Sequence, residues 1–374
     1  MATIRLFLIF HISLNFAKNF DTICLSNIII SIYNHLFIVR GGIKLEKYFL
    51  SNKGGFLKGL GIFFIIILIL LGLALGAGYA FLTNKLSNMD YMEIDESSIE
   101  VNSGVDENLK DYRNIALFGV DSRDNSFSNT RSDCIIIVSI NKKTNDVKLT
   151  SVYRDTYVNI DGHGLDKITH AYAYGGPELA MSTLNKNLDL NITEFVTVNF
   201  ETVKTVVDSI GGITIKVTDA EATQIEGLSS GGTYTLDGDQ ALAYSRIRKI
   251  DSDYQRTERM RTVIEAVFDK VKSLGVSELS NFVDTILPLI STNLSSNEII
   301  AMVPSVPFYS IKDSEGWPYD VQGYSSDAWY GVPVTLESNV RELHSELFGN
   351  DNYTPTDTVQ EISDDIINET GYSG

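Results

Sequence analysis

Cysteine is nearly absent from this chain. Only Cys24 and Cys134 occur in 374 residues. They are too few and too far apart for a disulfide framework or a cysteine-rich metal site. Histidine is also sparse, and the five present show no H-x-x-x-H spacing, which argues against zinc. Positive charge is short: 30 Lys and Arg face 48 Asp and Glu, a formal net charge of −18. Such a chain repels nucleic acid and anionic lipid unless its positive charge is locally concentrated. No basic recognition helix is visible, so no nucleic-acid partner is expected. No internal repeat is visible either.

What the chain does have is apolar residue, 44% of the total, enough to bury a sizeable core. Residues 59–82 form an uncharged, almost wholly apolar run. At a rise of about 1.5 Å per residue it can cross a hydrocarbon layer of roughly 30 Å. It is too long for a typical signal-peptide apolar core. Lys44, Lys47, Lys53 and Lys58 precede it and only Lys85 follows closely. The excess of positive charge on the leading side predicts a cytoplasmic N-terminus and an extracytoplasmic remainder. Residues 1–44 fit poorly with the rest. Either they form a second, weaker anchor, or they are leader sequence translated in frame, with Arg40-Gly41-Gly42 marking a ribosome-binding site and Leu45 the native start.

The expected organisation is a cytoplasmic segment over 1–58, a transmembrane helix over 59–82, and an acidic stalk over 83–112. A catalytic domain over 113–350 and a loose acidic tail over 351–374 follow. Short apolar runs at 115–120, 134–140, 147–152, 195–198 and 213–217 read as strands. Residues 141–146 read as a hairpin turn. Helices are expected from Pro177 to about Leu188, over 201–210 stopped by Gly211-Gly212, over 236–244 and over 256–274. This alternation predicts an α/β fold, an αβα sandwich around a mixed central sheet, plus the one N-terminal transmembrane helix.

The scarce arginines are not spread evenly. Eight of the twelve fall in four groups: Arg123 with Arg131, Arg154 alone, Arg246 with Arg248, and Arg256 with Arg259 and Arg261. Guanidinium groups offer planar bidentate bonds that match phosphate oxygens, so the clustering points to an anion site. Pairing with neighbouring Asp and Glu on a solvated face is the plainer alternative. Asp121 directly follows one expected strand and Asp133 directly precedes the next. If those strands are neighbours, the two carboxylates meet at one sheet edge and repel unless a cation or proton lies between them. Mg²⁺ suits two carboxylates plus substrate phosphates. A glycoside-hydrolase carboxylate pair would leave the arginines unexplained, and simple turn roles remain open. Arg256 and Arg259 share a helix face, while Arg261 points elsewhere. Cys134 opens an apolar strand and reads as a small core residue.

Six motifs occur in order: Gly119-Val120-Asp121-Ser122-Arg123, Arg131-Ser132-Asp133, Ser151-Val152-Tyr153-Arg154-Asp155-Thr156, Asp166-Lys167-Ile168-Thr169-His170-Ala171-Tyr172-Ala173-Tyr174-Gly175-Gly176, Ala241-Leu242-Ala243-Tyr244-Ser245-Arg246-Ile247-Arg248, and Asp251-Ser252-Asp253-Tyr254-Gln255-Arg256-Thr257-Glu258-Arg259. After a single N-terminal span, this series resembles the LytR-CpsA-Psr family of cell-wall phosphotransferases from about Asn114 to Ser273, with weaker likeness to about Phe348. The resemblance implies a polyprenyl-pyrophosphate-linked glycopolymer as donor, peptidoglycan as acceptor and a membrane setting. It implies Asp121 and Asp133 as Mg²⁺ ligands, with Arg154 beside them in the catalytic set. It implies Arg131, Arg154, Arg246, Arg248 and Arg256 on the pyrophosphate, assisted by Lys167. The family often has Pro where Tyr153 stands and Gln where Met260 stands. Two other activities stay open at this point: a hydrolase in which water replaces the sugar acceptor, and a regulatory, non-catalytic role.

Overall fold

The structure, a computed structural model, describes residues 90–373 apart from 123–126, 128, 129 and 249. The expected membrane span at 59–82 and everything before it lie outside the described residues. Among the described residues no helix is long and apolar enough to cross a membrane.

The described residues begin with β1 (Asp90–Tyr91), a one-turn α1 (Val105–Asn108), β2 (Tyr112–Val120), β3 (Ser132–Asn141) and β4 (Asp146–Val152). A small hairpin, β5 (Tyr157–Ile160) and β6 (Gly164–Lys167), leads into α2 (Ile168–Leu188), β7 (Glu194–Asn199) and α3 (Phe200–Ser209). Then come β8 (Ile213–Val217), α4 (Asp219–Ala222), β9 (Gly232–Leu236), α5 (Gly238–Ser245), α6 (Asp253–Lys272) and α7 (Val276–Ile286). The last third holds β10 (Ser291–Thr292), α8 (Ser296–Met302), β11 (Ser310–Trp317), β12 (Val321–Ser325), β13 (Trp329–Pro333), α9 (Leu336–Phe348) and α10 (Asp357–Thr370).

Seven strands form a mixed sheet in the order β1-β10-β7-β2-β3-β4-β11. The hairpins β2–β3 and β3–β4 are antiparallel, while β7 joins β2 and β11 joins β4 in parallel. Parallel neighbours require crossovers, and α2 is part of the long connection that brings β7 back beside β2. The alternation along the strands sorts their side chains. Ala116, Phe118, Val120, Ile135, Ile137 and Phe195 pack in one core with α2, α9 and α10. Ile115, Ile136, Ile140, Val147 and Leu149 face the other way, against Ile264 of α6 and Met302 of α8. A satellite core built from α3, β8, β9, α5 and α6 joins Val207, Ile213, Ile215, Leu236, Tyr244 and Val263. This third cluster matters for the site, because two of its helices carry arginines.

Both flanks of the expected domain need correction. The stretch read as a stalk is structured from residue 90: β1 pairs with β10, and Ile99, Val105 and Leu109 are buried in the main core. The stretch read as a loose tail forms α10, which buries Val359, Ile362 and Ile366 in that same core. Asp189, wholly buried at the end of α2, ties the two flanks together. Its carboxylate accepts from Asn102 Nδ2 at 2.7 Å, Thr356 N–H at 2.8 Å and Thr356 Oγ1 at 2.7 Å. An acidic composition hid three apolar residues at helical spacing, i, i+3 and i+7, which suffices to dock a helix. The helix expected from Pro177 starts nine residues earlier, at Ile168, and is broken at Gly175 and Gly176.

The same region contains a buried titratable group. His344 on α9 is 1% exposed, stacks on Tyr353 at 3.6 Å and donates from Nε2 to the Leu188 carbonyl at 3.1 Å. Burial lowers its pKa from 6.5 to about 4, against the opposing pull of the Leu188 carbonyl and Asp189. The unfolded chain therefore takes up this proton first as the pH falls. The stability His344 contributes is whole above pH 6.5 and is lost progressively down to about pH 4, by roughly 3 kcal/mol. Urea unfolding at pH 7 and pH 4.5 should show that part of the acid destabilisation disappears in His344→Gln. An equal loss in both proteins would show that this histidine does not couple folding to pH.

Candidate active site

The two carboxylates reach one place because of a local irregularity. Gly119 lies opposite Cys134, yet Val120 lies opposite Ser132, so Asp133 is an extra residue on β3. Such a bulge turns a side chain out of the regular alternation. A Cβ on residue 119 would sit 2.8 Å from Cys134 Cβ, so the strands approach this closely only because 119 is glycine. Asp121 lies just past the end of β2. It and Asp133 line one cleft of about 440 Å³. Cys134 points into the apolar layer, and burial pushes its thiol up to about 12, as befits a packing residue and not a nucleophile.

Arg154 follows β4 on a segment tied down from three sides. Tyr153 N–H donates to Trp317 O at 3.0 Å, Thr169 N–H donates to Arg154 O at 3.1 Å, and Gly331 N–H donates to Asp155 O at 2.9 Å. The guanidinium donates to Asp133 Oδ1 at 3.0 Å and lies 3.5 Å from Asp155 Oδ2. Asp155 also holds Lys167 Nζ at 2.8 Å. Lys167 thus stands apart from the other expected site residues. It does not line this cleft and lies one step back, on the carboxylate that steadies Arg154.

The opposite wall comes from the satellite core. Arg246 caps the end of α5, and its guanidinium lies over the Phe200 ring at 4.4 Å. Arg248 follows two residues on and is exposed. The backbone between them is held by Arg259, whose Nη1 donates to Ile247 O at 3.0 Å. The same buried guanidinium pairs with Glu221 at 2.7 Å and with Asp251. Arg256 is 1% exposed in the first turn of α6, and Met260 lies one turn on. Together with Arg131, the cleft has five of the protein's twelve arginines against two carboxylates. All the site residues expected from sequence except Lys167 meet here. Phe200 was not expected. It opens α3 after the Asn199 cap and has no signature in sequence, since its partner is 46 residues away. Arg261 donates to Ser314 Oγ at 2.9 Å and lies outside the cleft, as its helix phase implied.

The LytR_cpsA_psr family model matches residues 77–335. The chain belongs to the LytR_cpsA_psr family. Among curated relatives it is 37% identical over 230 residues to the polyisoprenyl-teichoic acid–peptidoglycan teichoic acid transferase TagT of Bacillus subtilis, covering 57% of this chain and 71% of that one. It is 32% identical over 253 residues to the TagU transferase of Oceanobacillus iheyensis, covering 64% and 76%. Among solved structures, TagT bound to LIIa-WTA matches with a TM-score of 0.52 and 30% identity over 75% of this chain and 94% of that one. Protein gbs0355 of Streptococcus agalactiae matches with a TM-score of 0.57 and 26% identity over 69% and 93%.

Within this LytR_cpsA_psr site the arginines divide into two kinds, those that line the cleft and one that builds it. Arg259 bridges α4, α6 and the segment carrying Arg246 and Arg248. Removing one partner of a buried ion pair strands the others and costs about 3–5 kcal/mol. Arg259→Ala should therefore lower the unfolding free energy by that order. Arg248→Ala, an exposed position, should change it by less than about 0.5 kcal/mol. Thermal and urea unfolding of the two variants measure the contrast. Equal, small losses would show that Arg259 does not brace this wall.

Proposed function

We propose that this protein transfers a glycopolymer from a polyprenyl-pyrophosphate carrier to peptidoglycan, forming a phosphodiester and releasing polyprenyl phosphate. The observation that carries this reading is the convergence of Arg131, Arg154, Arg246, Arg248 and Arg256 on a cleft that also holds Asp121 and Asp133. Phosphoryl transfer asks little covalent chemistry of a protein. It requires the phosphates to be positioned and their developing charge offset. The names of the relatives, teichoic acid transferases, point to the same reaction.

The two carboxylates of the cleft offer oxygen donors, which suit a hard cation. Among the described residues no group of three or more His, Cys, Asp and Glu stands ready for a metal. A Mg²⁺ ion held by Asp121 and Asp133 would therefore complete its shell with substrate phosphates and water, the usual habit of that ion. When bound it would offset charge on the pyrophosphate. Asp133 has one oxygen on Arg154 at 3.0 Å, so Arg154 orients this carboxylate as well as facing the anion. Met260, on the same helical face as Ile264 in the apolar layer beneath the sheet, offers the start of the lipid chain an apolar wall. The apolar run at 59–82 and the lysines before it favour an anchored protein with this domain outside the membrane.

Two measurements test the reading. A charge-assisted bond to a bound anion is worth about 1.5–3 kcal/mol, so Arg154→Ala and Arg248→Ala should each weaken polyprenyl-pyrophosphate binding by roughly tenfold or more. Their effects should be non-additive because both act on one ligand. Arg341→Ala, which breaks only an exposed pair with Glu337, should bind as the parent does. Parent-like binding in both cleft variants would refute the anion site. In the second measurement, Asp121→Asn should remove the Mg²⁺-dependence of turnover while the fold persists. Release of free polymer, with none joined to peptidoglycan, would identify a hydrolase instead.

A further inference from the structure

The arginine cleft has a neighbour of about 500 Å³ that shares Asp121, Arg131 and Asp133 with it. Its other walls include Thr130 and, from α2, His170 and Tyr174. None of these three lines the arginine cleft. The first turn of α2 is fastened beside Asp133, since Thr169 Oγ1 donates to Ser132 O at 2.9 Å.

These side chains are organised around one carboxylate. Asp166 Oδ2 takes His170 Nδ1 at 2.9 Å and the Tyr174 hydroxyl at 2.8 Å, while Oδ1 takes the Lys167 N–H at 2.7 Å. Burial alone would raise the Asp166 carboxyl, but the bonds from His170, Tyr174 and the Lys167 amide outweigh it and hold it below the ordinary value. With Nδ1–H given to a charged carboxylate, the other imidazole nitrogen, Nε2, is left as an acceptor. The Tyr174 ring stacks flat on His163, 4.0 Å away at 11°, and remains 46% exposed. Regular helix stops immediately after it, at Gly175 and at Gly176 with φ of 64°, a backbone that suits glycine alone. A rigid, outward aromatic face beside fixed polar groups is a platform for the apolar face of a sugar ring.

We propose that this second cleft is the acceptor subsite, which takes a glycan strand with one sugar stacked on Tyr174 and its hydroxyl at His170 Nε2. The inference rests on the transfer reaction proposed above. Displacement at phosphorus needs the entering and leaving oxygens in line, on opposite sides. Two clefts that meet at the Asp121–Arg131–Asp133 wall supply the two sides. The acceptor oxygen forms a bond to the phosphorus next to the polymer, and its proton passes to Nε2. The bond from that phosphorus to the bridging oxygen breaks, and its electron pair leaves with the lipid monophosphate. His170 is then a catalytic residue, and Asp166, which acts through it, a positioning residue.

The test uses the full chain, with uncross-linked peptidoglycan glycan strands and polyprenyl pyrophosphate as separate probes. Tyr174→Ala should weaken glycan-strand binding by roughly tenfold or more and leave polyprenyl-pyrophosphate binding within twofold. Tyr174→Phe keeps the stack, loses the bond to Asp166, and should bind strands nearly as the parent does. His170→Gln should lower kcat by about a hundredfold at saturating acceptor, with both binding constants little changed. Asp166→Asn should lower kcat less, with the acceptor KM little changed. Parent-like strand binding in Tyr174→Ala would overturn the subsite, as would a loss of pyrophosphate affinity equal to that of Arg154→Ala. A parent protein that binds strands through Tyr174 yet transfers nothing to them would refute the proposed reaction and leave the subsite standing.

Discussion

Five guanidinium groups share one cleft, and one of them, Arg154, is held in place by carboxylates. The decisive contact is the pair between Arg154 and Asp133 at 3.0 Å. It joins a relay that runs on through Asp155 to Lys167. Without a bound anion, the arginines would repel one another across the cleft, and a shared carboxylate lowers that cost. The pair also couples two sheet strands, since Asp133 sits on the bulge of β3 and Arg154 follows β4. The strands, the bulge and the relay therefore place Asp133 and Arg154 together.

The second wall is built differently. Arg246 and Arg248 flank Ile247 of the satellite core, and the backbone between them is held by the Arg259 network. One arginine serves the structure so that two others can line the cleft. This division explains why three arginines within six residues, Arg256, Arg259 and Arg261, have three separate duties: one faces the cleft, one braces the loop and one reaches the sheet through Ser314. Spacing along the helix sorts their directions, but burial and partners decide their work.

Much of this site was legible beforehand. The strand run ending at Val120 is an almost continuous apolar stretch and the one ending at Val152 is mixed, and polar residues placed at their ends are naturally presented at a sheet edge. The arginine groups stood out because the rest of the chain is acidic. The pairing of Lys167 with Asp155 could not be read beforehand, since nothing local in the sequence reveals it. Phe200 was missed because its contact with Arg246 depends on packing between α3 and α5. The Tyr153 departure from the family pattern is absorbed by packing: its ring meets Tyr254 edge-on at 4.4 Å and lies over Gly316, where a Cβ would collide with it.

The sequence by itself determined the class of fold, the order of strands and helices through the first two thirds of the domain, and most of the charged residues that gather in the cleft. These follow from local periodicity, from turn residues and from charge type, all of which are properties of short stretches. Tertiary structure alone decided where the domain begins and ends. The acidic flanks look like solvated chain until Asp189 gathers Asn102 and Thr356, and three apolar residues of α10 find the core. It also decided which cations face the cleft and which brace it, and that a second cleft lies beside the first. Those outcomes depend on contacts between residues tens of positions apart, whose energies arise only when folding removes both partners from water.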